Sequence, residues 1–108
     1  MIGDGVTEIG YRAFYGLSNL VDLTFGASVE DIGGSAFNGC TNLTAVIFPN
    51  ITSVPTATTA SFTGSPILSG TCYVYVPESL LSSVKAASNW SAVADMIRAC
   101  EDYLEICG

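Results

Sequence analysis

The sequence predicts an α/β repeat: a right-handed solenoid of about three coils with parallel strands, closed by a helical cap at its C-terminal end. Three observations carry that expectation. Residues 13–20 read AFYGLSNL, and residues 36–43 read AFNGCTNL, 23 positions later. Each phrase runs into a short apolar alternation, Leu20-x-x-Leu23-x-Phe25 and Leu43-x-x-Val46-x-Phe48. After Pro77 the period disappears, and apolar residues recur at steps of three and four instead.

The first coil is justified by direct alignment. Over residues 6–25 and 29–48, nine of twenty positions are identical, among them Val6/Val29, Ile9/Ile32, Gly10/Gly33 and Phe25/Phe48. A third copy is worn. Ile51 and Val54 take the places of Val29 and Ile32, SFTGS at 61–65 replaces AFNGC, and YVYVP at 73–77 replaces AVIFP at 45–49. The extra length, including PTATTA at 55–60, should leave the solenoid as Ser/Thr-rich loops. A 23-residue unit is too small to bury its own apolar edge, so stacking is obligatory. Phe14, Phe37 and Phe62 are expected to form a column with one ring per coil, each contributing roughly 1.5–3 kcal/mol by burial. Asn19 and Asn42 are placed to satisfy backbone groups where one coil turns into the next.

This period lies in the range of leucine-rich repeats. A right-handed leucine-rich-repeat solenoid is therefore expected over residues 1–77, with the cap over 78–108 in the same compact domain. Within that cap, 78–87 should form a short helix, and Asn89 should be the N-cap of a second one. Trp90, Val93, Ile97, Cys100, Leu104 and Cys107 then make a single helical stripe. Trp90 is the expected plug of the last coil. On such a helix Cys100 and Cys107 fall about two turns, roughly 10 Å, apart. That separation is too long for a disulfide.

Composition excludes several functions. Net charge is −7, and the basic residues are Arg12, Lys85 and Arg98, too few for the stripe that nucleic acid requires. Anionic membrane surfaces are disfavoured for the same reason, and no apolar run reaches the length of a membrane span. Four cysteines without a C-x-x-C pair, in a chain without histidine, argue against zinc and for buried thiols. The lack of histidine also leaves serine and cysteine without a partner base, so no catalytic residue is nominated. Gly3-Asp4-Gly5 is too short for a phosphate loop or a calcium loop. No cofactor or metal is expected. Of the three sequons, at Asn42, Asn50 and Asn89, the first repeats Asn19 and is better explained by structure.

Strand geometry supplies the candidate site. Side chains alternate across a strand. If Leu23 and Phe25 point inward, Asp22 and Thr24 point out. Ala45 and Ile47 follow in the next coil, and Tyr73 and Tyr75 in the third. These six residues form one expected contact surface, acidic at one side and aromatic at the other.

The phrases VTEIGYRAFYGLSNLVDLTF and VEDIGGSAFNGCTNLTAVIFP resemble the BspA-like family of leucine-rich repeats, whose signature is I-G-x-x-A-F-x-G-C-x-x-L. The tail YVPESLLSSVKAASNWSAVADMI is similar to the segment that often closes such arrays. Together these cover most of residues 2–98. The chain departs from the signature at Leu17, where the family prefers cysteine, and at Ser61, where it has alanine. The resemblance implies a non-enzymatic protein-binding or adhesion module, extracellular or on a bacterial cell surface. Its partner would be a host, matrix or other surface protein. The alternative is a terminal segment of a longer array that self-associates through its open N-terminal coil. The C-terminal helix is a second place where copies could meet.

Overall fold

The computed structural model describes residue 3 and residues 5–107. Residues 1, 2, 4 and 108, which fall within the expected solenoid and cap spans and include Asp4 of the Gly3-Asp4-Gly5 triplet, lie outside the described residues.

Chain windings meet in two parallel sheets. The larger contains β2 (Asp22–Thr24), β4 (Ala45–Ile47), β6 (Tyr73–Val76) and β7 (Ile97–Ala99), in that spatial order. The smaller contains β1 (Glu8–Ile9), β3 (Asp31–Ile32) and β5 (Thr56–Ala57). Parallel neighbours need a long crossover, and up to β6 each crossover is one winding of the repeat. Asp22 pairs with Ala45 and Leu23 with Val46, the register set by the internal repeat. Glu8 and Ile9 pair with Asp31 and Ile32 in the same offset.

A row of turns forms the third side. Arg12, Phe14 and Gly16 donate their backbone N–H groups to the carbonyls of Gly34, Ala36 and Asn38, at 3.0, 2.9 and 2.8 Å. Ser35 and Gly39 repeat the pattern onto Ala60 and Gly64, at 2.8 and 3.1 Å. Gly16, Gly39 and Gly64 have φ of 76°, 79° and 70°, a region that costs an L-residue strain. That is why the glycine of AFxG persists when other letters of the third copy have drifted. Asn42 acts as its position suggested, donating Nδ2–H to the Ser18 carbonyl at 2.7 Å.

The interior between the sheets is aromatic. Phe14 stacks on Phe37 at 5.9 Å and Phe25 on Phe48 at 5.1 Å, with interplanar angles of 1° and 16°. Phe62 is also buried, but its ring packs at 5.0 Å against Trp90 instead of continuing a simple column. Trp90 is buried, and its Nε1–H donates to the Pro55 carbonyl at 2.8 Å. Ser61, the departure from alanine, is fully buried yet satisfied: its hydroxyl donates to the Ile32 carbonyl and accepts from the Thr58 N–H, both at 2.8 Å.

Several expectations need correction. In the worn copy the partners of Asp31 and Ile32 are Thr56 and Ala57, so Ala57 rather than Val54 takes the place of Ile32. The first added residues therefore precede β5, and PTATTA is part of the wall instead of a bulge. The other added length is the helical turn α1 (Pro66–Ser69), whose N-cap Ser65 accepts from the Leu68 N–H and whose end is Gly70 at φ 96°.

Beyond Pro77 the short helix is present as a 3₁₀ turn, Glu78–Leu80, followed by α2 (Leu81–Ala86). The second helix is not one helix. Asn89 has φ 69° and is no N-cap; its Nδ2–H instead donates to the Ala57 carbonyl at 2.8 Å. Ser91–Met96 is 3₁₀, Ile97–Ala99 is β7, Cys100–Asp102 is 3₁₀, and α3 covers Leu104–Cys107. The reason is the open edge of β6. Val74, Tyr75 and Val76 would keep unpaired backbone groups along one side, and β7 pairs with all three. Ile97 and Ala99 are buried and Arg98 half-buried, an alternation that suits a strand as well as the three-and-four spacing suited a helix.

Candidate interaction groove

All six nominated residues come together. In register, Asp22 lies beside Ala45 and Ala45 beside Tyr73, while Thr24 lies beside Ile47 and Ile47 beside Tyr75. They line a groove of about 500 Å³, joined by Thr44, Thr71, Glu105 and Ile106. Asp22 and Tyr73 are exposed and Thr24 is half-buried.

The other three differ from the expectation of an open surface. Ala45, Ile47 and Tyr75 are 7%, 3% and 4% exposed, because the C-terminal segment folds back across them. Cys100 packs in the same cluster, with Tyr103 and Cys107 at its margin. The Tyr103 ring meets Tyr75 edge-on at 5.3 Å. Burial pushes the Tyr75 hydroxyl above its ordinary pKa, with the neighbouring Tyr103 and Cys107 adding to the effect. The outward face is therefore two zones: a covered apolar floor and an open polar rim.

The rim has defined chemistry. Asp22 and Glu105 bring carboxylates, and Thr24, Thr44 and Thr71 bring hydroxyls. The Tyr73 ring is held on one side by the Arg98 guanidinium, 4.6 Å from its centroid. Arg98 is itself fixed by donating to the carbonyls of Asp95 and Ile97, at 2.6 and 3.1 Å. Such a groove suits polypeptide contacts, an aromatic anchor beside hydrogen-bonding groups. Glu105 and Ile106 were missed because a continuous helix would have carried them off the stripe; the break after Asp102 returns them to the groove. Thr44 marks its own place by donating Oγ1–H to the Val21 carbonyl at 3.2 Å.

A second exposed region lies at the first winding. Tyr11, Tyr15, Leu17 and Val21 are exposed, and the Arg12 guanidinium sits 5.1 Å from the Tyr11 ring and 4.6 Å from the Tyr15 ring. The carbonyls of Tyr11, Ala13 and Tyr15 occupy the places that Gly34, Ala36 and Asn38 hold in the next winding. They accept no backbone hydrogen bond among the described residues.

Among the described residues no group of three His, Cys, Asp or Glu side chains is placed to hold a metal ion. No helix there is long and apolar enough to cross a membrane. Cys40 and Cys72 are fully buried; burial raises both thiols, Cys72 to about 12. Cys40 uses its S–H to donate to the Phe14 carbonyl at 2.9 Å, the contact Leu17 cannot supply in the first winding.

The family model for the BspA type leucine rich repeat region (6 copies) matches residues 1–87. The chain belongs to the BspA-type leucine-rich repeat family. Its repeat solenoid is that of a protein-interaction module, and domains of this family are generally not enzymes. Family members are typically surface or secreted proteins of bacteria. A search of curated proteins gave no match.

Proposed function

We propose that the chain is a non-enzymatic binding or adhesion module of a bacterial cell-surface or secreted protein. About three coils make the solenoid, and the segment after Pro77 closes its far end. The partner is a host, matrix or other surface protein, taken up along the groove over β2, β4 and β6. The observation that carries this reading is the convergence of Asp22, Thr24, Ala45, Ile47, Tyr73 and Tyr75 on one groove. Tyr73, Asp22 and Thr24 are its accessible contacts, while Ile47 and Tyr75 support the floor.

The test is binding to immobilised collagen, fibronectin and laminin, with Asp22→Lys and Tyr73→Ala compared to the wild type. Each substitution should weaken binding by at least about tenfold. Thermal melting should stay close to that of the parent. Unchanged affinity in both variants would rule out this face.

A second reading rests on the first winding, where exposed Tyr11, Tyr15, Leu17 and Val21 border a row of carbonyls that accept no backbone hydrogen bond among the described residues. It makes the chain a terminal segment that self-associates there. Head-to-head pairing would set acceptor against acceptor along that row, so a second copy would meet it with another face, one that offers N–H groups. Sedimentation across a wide concentration range tests this; a strict monomer throughout discards it.

A further inference from the structure

The strongest unassigned feature is a pair of thiols. Cys100 opens the turn after β7, and Cys107 ends α3. A continuous helix would hold them two turns apart. The chain instead breaks at Tyr103, with φ −139° and ψ 52°, and restarts. Tyr103 donates its N–H to the Cys100 carbonyl, and Cys107 donates back to the Tyr103 carbonyl, both at 2.9 Å. This pivot folds α3 back, so Cys107 packs against the cluster that holds Cys100, at the edge of the floor formed by Ala45, Ile47 and Tyr75. Both also line a surface hollow of about 300 Å³ together with Pro49, Asn50, Glu101 and Leu104. Cys107 is partly exposed there, so a small oxidant can reach it.

We propose that Cys100 and Cys107 form a dithiol site that a small-molecule disulfide oxidises to an internal disulfide, locking residues 100–107 over the apolar floor of the groove.

The order of events follows from the surroundings. Cys107 is partly exposed and Cys100 is buried, so the oxidant meets Cys107 first. Burial raises both thiols, but their mutual interaction lowers Cys107 and raises Cys100, so Cys107 ionises more readily. Cys107 loses its proton and attacks one sulfur of the oxidant RSSR. The S–S bond breaks, and RS⁻ leaves and takes up a proton. Cys100 then loses its proton, attacks the Cys107 sulfur and expels the second RS⁻, which is also protonated. Two protein thiols are oxidised, and one RSSR is reduced to two RSH.

The consequence concerns the groove. Residues 100–107 contribute Glu105 and Ile106 to the rim and cover Ile47 and Tyr75 from above. With the disulfide closed, the polar rim is fixed. With the thiols reduced, this short segment is held by side-chain packing, two turns and the Glu78 N–H donated to the Glu101 carboxylate at 2.9 Å, and it opens more often.

The experiment treats the folded chain with glutathione disulfide. Intact mass, peptide mapping and hydrogen exchange are then read before and after dithiothreitol. The wild type should lose two hydrogens in mass and yield one crosslinked peptide joining positions 100 and 107. Exchange across 97–107 should slow and recover on reduction. Cys100→Ser should keep a glutathione adduct on Cys107, and Cys107→Ser should stay unmodified. The proposal is overturned if the wild type stops at an adduct, fails to react, or crosslinks through Cys40 or Cys72. A crosslink that leaves exchange unchanged overturns the lock. The wild-type mass and map decide the chemistry even if a variant does not fold. No readout needs a binding partner, so the outcome is independent of the function proposed for the groove.

Discussion

Between residues 6 and 48 the chain repeats itself; between 78 and 107 it does not, yet both stretches supply strands to one parallel sheet. In the first stretch every winding carries the same parts: an isoleucine strand, a glycine turn and an aromatic strand, with Asn42 bracing the second onto the first. Its order comes from register. In the second, nothing in the sequence resembles Leu-x-x-Leu-x-Phe, and β7 forms because β6 leaves an edge to be paired. Its order comes from a vacancy that the earlier windings create. The difference teaches that a repeat specifies its own stacking, while the strand that pairs with its last edge is specified by that edge.

The largest effect expected from breaking that comparison is in the repeat. Phe37 is fully buried between windings, and Phe37→Ala should cost about 3–5 kcal/mol in a denaturant titration. A cost near 1 kcal/mol would mean the windings do not depend on their ring stack.

Ile97→Ala, in the fully buried start of β7, should cost about 2–5 kcal/mol. Here the form of the transition is the sharper readout. Since β7 pairs with β6, fluorescence of the single Trp90 and far-UV circular dichroism should change together. An earlier fluorescence transition would show the closing segment to be a separate folding unit.

Tyr103→Ala should cost less, about 1–1.5 kcal/mol, through loss of the edge contact to Tyr75. Its effect should be local: faster hydrogen exchange in 100–107 with β2 and β4 unaltered. Equal acceleration across the whole sheet would contradict a floor that is covered only from one side.

Asn42→Ala is the mildest, at about 0.5–1 kcal/mol, because its bond to the Ser18 carbonyl is exposed to water. A melting shift as large as that of Phe37→Ala would reverse the ranking of ring stack over turn brace.

The legibility of the site followed the same divide. Asp22, Thr24, Ala45, Ile47, Tyr73 and Tyr75 could be grouped from alternation alone, since the register of parallel strands was written in the repeat. Their exposure could not. Alternation states which way a side chain points from its own strand, and it says nothing about a later segment crossing that face. The heptad-like spacing from Trp90 to Cys107 was misleading for a related reason. Buried positions three and four apart satisfy a helix, but Ile97 and Ala99, two apart, also satisfy a strand, and only a neighbouring edge chooses between them. The worn copy misled by one short insertion: Val54 and Ala57 are both apolar, and the partner across the sheet decided which of them faces Ile32.

The sequence by itself determined the repeat length, the aromatic interior and the outward set of six residues. All of these are periodic, and a periodic chain carries its packing rule within each unit. Only the tertiary structure decided that β7 extends the sheet, that the chain folds back over Ile47 and Tyr75, and that Cys100 and Cys107 share one cluster. Those features depend on unpaired backbone groups and apolar area left at the end of the stack, which exist only once the windings before them have formed.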